Sequence, residues 1–182
     1  MANSKTVVRA SRVQLVRILA TLAVVFSLDQ ITKAIVVAKI PQDSVHPSMH
    51  MGEFFWFSHA RNDALVGGLG QGYPILVFVA PLVACAVLIY LYRHLHAQMM
   101  IQHFAYGMVA GGAAGNLVDR LVRGTVVDFL QFHFYFIPFN FPWKLYPAFN
   151  VADTAICIGV FLLVVTWHKA EQLEEKNAPS TV

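Results

Sequence analysis

The chain has 182 residues, of which 57% are apolar and only 13% are charged, and its net charge is +3. Soluble globular domains have about 45–50% apolar and about 25% charged residues, so this composition argues against a soluble globule and predicts a polytopic membrane protein. Lys and Arg are scattered, without a basic patch interleaved with aromatic residues, which argues against a nucleic-acid partner.

Residues 13–38 are predicted to form the first helix, because the segment is mostly apolar and long enough to cross about 30 Å of hydrocarbon. No small-residue cleavage site follows its apolar run, so we interpret it as an uncleaved span rather than a secretory signal peptide. Asp29 and Lys33 are four residues apart and therefore share a helix face on which they can pair.

Residues 39–72 have a mixed composition, and the aromatic run at 54–58 predicts a strand at an interface. The glycines of 67–72 lack the Gly-Lys-Ser/Thr ending of a phosphate loop and are interpreted as a turn. Residues 73–92 contain no charge and predict a second transmembrane helix. Cys85 and Cys157 lie in apolar runs, which favours buried thiols over a disulfide or a metal site.

Residues 99–118 are predicted as the third helix. Gly107, Gly111 and Gly115 recur every four residues along it, a small-xxx-small pattern that lets another helix approach closely. His94 and His96 precede this helix, but a spacing of two residues points helical side chains apart, so no metal site and no cofactor are predicted.

Residues 120–147 are rich in aromatic residues, as in an interfacial belt, and 148–167 predict a fourth helix followed by a disordered tail at 169–182. Four spans place both termini on one side. That side then has an excess of four basic residues, while the other side has an excess of one acidic residue. The positive-inside rule therefore predicts cytoplasmic termini and extracytoplasmic segments at 39–72 and 120–147, all within one membrane domain covering residues 1–182.

The predicted topology places four carboxylates, those of Asp29, Asp119, Asp128 and Asp153, at the outer ends of the helices. Ionisable residues are costly in a membrane, so each is a functional candidate. Asp29 with Lys33, and Asp119 with Arg120, can be structural ion pairs. Asp128 and Asp153 have no basic neighbour within one helical turn and are interpreted as a pair. Asn116 and Asn150 can bind a substrate backbone or cap helix ends, and spacing does not decide between these roles.

Two carboxylates that face each other in a dry site share one proton, which leaves one as a base and the other as an acid. Such a pair can activate water and protonate a carbonyl oxygen, which is peptide hydrolysis without a covalent nucleophile. Gly-x-Ser-x-Gly and His-Glu-x-x-His motifs do not occur. Two other functions use the same residues: a proton-coupled carrier and a noncatalytic lipid-binding or assembly protein.

Five blocks of sequence together resemble one family, the bacterial lipoprotein signal peptidases (signal peptidase II). They are Asp-Gln-Ile-Thr-Lys at 29–33, Arg-Asn at 61–62, Gly-Gly-Ala-Ala-Gly-Asn-Leu-Val-Asp-Arg at 111–120, Gly-Thr-Val-Val-Asp-Phe at 124–129 and Phe-Asn-Val-Ala-Asp at 149–153. Their order and spacing agree with that family over nearly the whole chain.

The resemblance implies four transmembrane helices, a small extracytoplasmic β-cradle from 39–72 and a short extracytoplasmic helix in 120–147. It also implies an aspartic endopeptidase of the bacterial inner membrane, which cleaves prolipoproteins before a diacylglyceryl-modified cysteine. Its partners would be this substrate, membrane lipid and inhibitors of the globomycin type, and it is expected to act as a monomer. Asp128 and Asp153 match the catalytic pair. Positions matching residues that support the site or contact substrate are Asp29, Lys33, Asn62, Asn116, Asp119, Arg120 and Asn150.

One block departs from the family. The usual continuation is Arg-Asn-x-Gly-Ala-Ala-Phe, whereas Arg61 and Asn62 are followed here by Asp63 and Ala64. Alanine is less free than glycine to adopt a positive φ, and Asp63 adds a charge beside the cradle. This departure is typical of a divergent paralogue with altered substrate range or inhibitor sensitivity, and it leaves the aspartate pair untouched.

Overall fold

A computed structural model describes residues 12–51, 54–63, 74–95, 99–142 and 144–177. Within these ranges the chain forms four helices and a small sheet. In chain order the elements are α1 (Arg12–Lys39), β1 (Val45–Met51), β2 (Phe55–Asn62), α2 (Pro74–Arg93), α3 (Met100–Arg123), β3 (Val126–Phe132) and α4 (Val151–Asn177). The predicted glycine turn at 67–72, the aromatic residue at 143 and the end of the tail at 178–182 lie outside the described residues.

Helix α3 is central, with α1 on one side and α4 on another. A Cβ on Gly107 would lie 2.8 Å from the Ile18 carbonyl oxygen, and one on Gly111 would lie 2.8 Å from that of Leu22. The predicted close approach of a second helix is therefore confirmed, and that helix is α1. Because carbonyl oxygens of the α1 backbone occupy the space, larger side chains at these positions would push the helices apart.

Helix α4 packs against α3 through a second set of glycines. A Cβ on Gly112 would lie 2.5 Å from the Ala152 carbonyl oxygen, and one on Gly159 would lie 2.7 Å from that of Ala105. Toward the other end, Ala105, Val109 and Leu163 form a buried apolar cluster against which side chains of α2 pack. These contacts hold the first turn of α4 close to the middle of α3.

The three strands form an antiparallel sheet in the order β1-β2-β3. The predicted strand at 54–58 is confirmed, and it continues to Asn62. The predicted short helix in 120–147 is wrong for the described residues of that segment beyond the end of α3, because β3 and irregular turns occupy them. Val126, Val127 and Phe129 are β-branched or aromatic and favour a strand, and pairing with β2 then satisfies the backbone.

Helices α3 and α4 are longer than predicted. Helix α3 continues past residue 118 and ends where Gly124 adopts the left-handed conformation (φ 77°) and donates its N–H to the Arg120 carbonyl. Helix α4 starts three residues later than predicted and runs to Asn177, so residues 169–177 are helical rather than disordered. They are rich in Glu, Lys, Gln and Ala, which are good helix formers, and the next proline is Pro179.

Polar and apolar side chains are distributed unlike those of a soluble protein. Asp29, Lys33 and Asp119 are fully buried, whereas Leu121 and Phe161 are mostly exposed. The two cysteines are also exposed and unpaired, so the prediction of buried thiols is wrong. Large exposed apolar side chains are stable where the surroundings are themselves apolar.

By length and apolarity, α1 alone among the described helices could cross a membrane. Its position near the N-terminus would also suit a signal sequence. Shorter apolar helical stretches occur at Val83–Arg93 and Val151–Trp167. Four transmembrane helices therefore stay a prediction.

Candidate active site

The first turn of α4 places Asp153. Asn150 caps this helix, because its Oδ1 accepts the Asp153 backbone N–H at 2.9 Å. In return, Asp153 Oδ2 accepts the Asn150 backbone N–H at 3.2 Å. This reciprocal arrangement is a capping box with Asn and Asp in the two positions. It fixes the Asp153 carboxylate at the positive end of the helix dipole, which favours its ionised form.

Strand β3 places Asp128 on the other side of the same asparagine. Asn150 Nδ2 donates to Asp128 Oδ1 at 2.7 Å, and Asn62 Nδ2, from the end of β2, donates to Asp128 Oδ2 at 2.9 Å. Asp128 is 2% exposed. Asn150 therefore contacts both carboxylates: it binds Asp128 with its side chain and Asp153 with its backbone. We call Asp128 and Asp153 the aspartate pair.

Asn116, on α3, completes the contacts of the aspartate pair. Its Nδ2 donates to Asp153 Oδ1 at 2.8 Å, and its Oδ1 accepts Asn150 Nδ2 at 3.2 Å. The four oxygens of the aspartate pair each accept one hydrogen bond from an amide. Amides are neutral donors, so they orient the carboxylates without fixing both in the ionised state.

Beneath the pair lies a set of charged side chains that we call the ion cluster, consisting of Asp29, Lys33, Asp119 and Arg123. Lys33 Nζ lies 2.9 Å from Asp29 Oδ2 and 3.0 Å from Asp119 Oδ2. Arg123 pairs with Asp119 Oδ1. These contacts join α1 to α3, as expected for buried charges that must be paired.

The ion cluster also holds backbone groups of the site. Asp29 Oδ1 accepts the Ala152 N–H at 3.0 Å, and Asp119 Oδ2 accepts the Val127 N–H at 3.1 Å. Ala152 and Val127 directly precede Asp153 and Asp128 in the sequence. The cluster therefore positions both segments that carry the aspartate pair.

All nine site residues selected from the sequence lie in this connected region. The pair Asp29–Lys33 forms as predicted. Asp119 forms ion pairs with Lys33 and Arg123. Arg120, whose charge also interacts with Asp119, donates to the Asn116 carbonyl at 3.3 Å.

Sequence reasoning missed two residues of the region. Gln30 Nε2 donates to Asp29 Oδ2 at 3.1 Å and to the Gly115 carbonyl at 3.2 Å. Arg123 follows Asp119 by four residues, and this spacing is the signal that could have identified it.

The electrostatics of the site favour a protonated Asp128. Burial, and then the negative charge of Asp153, raise the pKa of Asp128 from 3.8 to about 7. Hydrogen bonds from Asn62 and Asn150 and the charge of Lys33 oppose this shift. Near neutral pH, Asp128 can therefore carry a proton.

Comparison with known proteins relates the chain to one family. The family model described as signal peptidase (SPase) II matches residues 21–169. A lipoprotein signal peptidase of Shewanella amazonensis is 36% identical over 159 residues, covering 84% of this chain and 88% of the relative. One of Actinobacillus succinogenes is 38% identical over 149 residues, covering 79% of this chain and 84% of the relative.

Two solved structures, both described as bacterial membrane enzymes, share the fold. The first has a TM-score of 0.69 and 23% identity, and the alignment covers 91% of this chain and 93% of the other. The second has a TM-score of 0.66 and 24% identity, with coverages of 82% and 91%. Together with the sequence matches over most of its length, these likenesses identify the chain as a member of the signal peptidase II family.

Proposed function

We propose that the chain is an aspartic endopeptidase that removes the signal peptide from diacylglyceryl-modified prolipoproteins, cleaving before the lipidated cysteine. The observation that carries the proposal is the aspartate pair, a buried carboxylate from β3 and a partly buried one from α4 that contact the same asparagine, Asn150. The substrate class follows from the relatives, which are named lipoprotein signal peptidases.

The two carboxylates take different roles in this mechanism. Asp153, ionised at the N-terminus of α4, removes a proton from a water molecule whose oxygen attacks the scissile carbonyl carbon. Asp128 donates its proton to the carbonyl oxygen, which gives a neutral gem-diol. Asp153 then protonates the peptide nitrogen while Asp128 takes a proton from the gem-diol, the C–N bond breaks, and the pair again holds one proton.

The charges around the pair support a single shared proton. The cations of the site are Lys33, Arg120 and Arg123. Its carboxylates are Asp29, Asp119, Asp128 and Asp153. Three cations balance four carboxylates only when one carboxylate is protonated. An uncompensated charge is costly in a buried site, so the neutral, singly protonated state is favoured.

We place this site at the outer face of the bacterial inner membrane, with four transmembrane helices and cytoplasmic termini. The basic residues favour this orientation, and the apolar side chains exposed on α1, α3 and α4 would face lipid. The acyl chains of the substrate would then remain in the bilayer while its scissile bond reaches the pair at the interface. An inhibitor of the globomycin type would compete at the same place.

The test is cleavage of a diacylglyceryl-modified prolipoprotein peptide by the purified full chain in detergent micelles. Asp128→Asn and Asp153→Asn should each reduce kcat by at least about 10³-fold while the protein still inserts and purifies. Asp43→Asn is the matched control, because Asp43 is exposed and asparagine tolerates its positive φ of 58°. Normal cleavage by either active-site variant would refute the proposal.

The same assay separates the two competing functions. A noncatalytic lipid-binding protein would bind the peptide without cleaving it. A proton-coupled carrier would instead show proton-dependent uptake in proteoliposomes that Asp128→Asn abolishes. The exposed Asp63, where the chain departs from the family, can be tested as Asp63→Ala for altered inhibition by globomycin.

A further inference from the structure

Lys33 is fully buried, although lysine is among the residues least often found inside proteins. Its ammonium group has three hydrogens and three acceptors at hydrogen-bonding distance. Asp29 Oδ2 and Asn116 Oδ1 lie at 2.9 Å, and Asp119 Oδ2 lies at 3.0 Å. The donors of the ammonium group are therefore all used, and one of them is directed away from the carboxylates to an amide.

This third contact determines which way the amide of Asn116 faces. An ammonium group only donates, so the amide atom beside Lys33 must be the oxygen. The amide nitrogen must then face the opposite side, where it donates to Asp153 Oδ1 at 2.8 Å. With the amide reversed, two donors would meet at Lys33 and two acceptors would meet at Asp153.

We propose that Lys33 is a positioning residue of the proposed peptidase, which acts on Asp153 through Asn116 and whose charge keeps the aspartate pair from holding more than one proton. The inference rests on the proposed function of the pair. It assigns to a buried ion pair a role in the chemistry in addition to joining α1 and α3.

The charged groups around Lys33 come from four elements. They are Asp29 on α1, Asp119, Arg120 and Arg123 on α3, Asp128 on β3 and Asp153 on α4. Arg123 is committed to Asp119 and Gln30. Arg120 donates to the Asn116 carbonyl, and its charge also interacts with Asp153 and Asp128. Lys33 is the cation that donates directly to the side-chain amide contacting Asp153. Its positive charge also lowers the pKa of Asp128, against the effect of burial.

The experiment measures kcat and KM against pH for cleavage of the lipidated peptide by full-length Lys33→Met and Lys33→Arg. Lys33→Met should move both limbs of the profile of kcat against pH to higher pH by about one unit. A nearby positive charge lowers the pKa of a carboxyl by at least about this amount, and the variant removes that charge. Its kcat should fall about tenfold or more with KM nearly unchanged. Lys33→Arg keeps the charge, so its limbs should stay at wild-type pH while kcat falls, because a guanidinium cannot repeat the same three contacts.

Lys39→Met is the matched control. It removes the same charge from the same helix at an exposed position, and it should leave the profile unchanged. A folded Lys33→Met with wild-type limbs, or a Lys39→Met with an equal shift, would overturn the proposal. Either result is measured on an enzyme that cleaves the peptide. Failure of the proposed function is a different outcome, in which the Asp128 and Asp153 variants would still cleave.

Lys33→Met leaves two buried carboxylates without their cation and can fail to fold. Lys33→Met combined with Asp29→Asn keeps the net charge of the ion cluster constant and covers this case. Its limbs should return to within about 0.3 pH unit of wild type, while kcat stays low because Asn116 has lost its anchor. Limbs that remain displaced in this variant, or a wild-type kcat, would also contradict the proposal.

Discussion

Replacing Asp128 by Asn should change how the stability of the protein depends on pH. The pKa of Asp128 is raised from 3.8 to about 7 in the fold, chiefly by burial. The folded protein therefore binds a proton that the unfolded chain releases between these two values. The resulting stabilisation is fully present below about pH 4 and is lost as the pH rises through about 7. Asparagine does not titrate, so Asp128→Asn removes this dependence.

The size of the effect follows from the two pKa values. Between pH 5 and pH 8, a carboxyl with these values contributes a loss of about 2–3 kcal/mol in the free energy of unfolding. The variant also loses hydrogen bonds, because its amide nitrogen must face a donor of Asn62 or Asn150. That cost is independent of pH and cancels when the variant is compared with wild type at two pH values.

Thermal unfolding in detergent micelles between pH 5 and pH 8 measures this change. The Tm of Asp128→Asn minus that of wild type should increase by about 5 °C or more over this range, at about 2–4 °C per kcal/mol. For the exposed Asp43→Asn, the same difference should stay constant. A difference for Asp128→Asn that does not change with pH would refute the reasoning, because Asp128 would then be ionised in the fold throughout.

Three further predictions concern other parts of the molecule. Gly112→Ala should cost about 1–3 kcal/mol and reduce cleavage, because its Cβ would lie 2.5 Å from the Ala152 carbonyl oxygen; an unchanged Tm and kcat would contradict the close packing of α3 and α4. His133→Phe should raise Tm more at pH 5 than at pH 8. The ring is buried, its centroid lies 3.8 Å from that of the Trp56 ring, and neither nitrogen is hydrogen-bonded. Burial lowers the pKa of His133, so the stability that the neutral ring contributes is lost as the pH falls. A gain in Tm that is independent of pH would contradict this. A nitroxide spin label at residue 139, in a chain with both cysteines replaced, should be accessible to oxygen, which dissolves in the bilayer, and not to a water-soluble nickel complex. Phe139 is 66% exposed, and a nitroxide at the exposed Gln42 should show the reverse; a water-accessible residue 139 would argue against contact with the bilayer.

The sequence was most informative where a local pattern has one physical solution. Glycines at 107 and 111 lie on one face of a helix, so close packing against another helix could be predicted, although the identity of α1 as the partner could not. Likewise, the uncharged run at 73–92 predicted α2 to within one residue at each end. Such patterns depend on neighbours along the chain and hold without knowledge of the tertiary fold.

Prediction failed where tertiary contacts decide the structure. Strand β3 forms because β2 supplies its hydrogen-bonding partner, and no local pattern in 120–147 indicated this pairing. The register of β2 against β3 also brings Asn62 to Asp128, although these residues are 66 positions apart. For Asp119, the sequence indicated its neighbour Arg120, whose charge does interact with it, but not a second cation on the same helix. Arg123, one turn later, shares the face of Asp119 and pairs with it.

The use of amides around the aspartate pair has a physical consequence. A cation bonded directly to Asp128 would favour its ionisation, and this carboxyl would lose the proton that it must donate as an acid. Asn62, Asn116 and Asn150 orient the carboxylates without carrying charge. In the ion cluster, Lys33 donates a hydrogen bond to the side-chain amide of Asn116 rather than to Asp128 or Asp153. Its charge is close enough to favour ionisation of one carboxylate of the aspartate pair. An amide placed between cation and carboxylate thus reconciles a buried site with a pair that must hold a single proton.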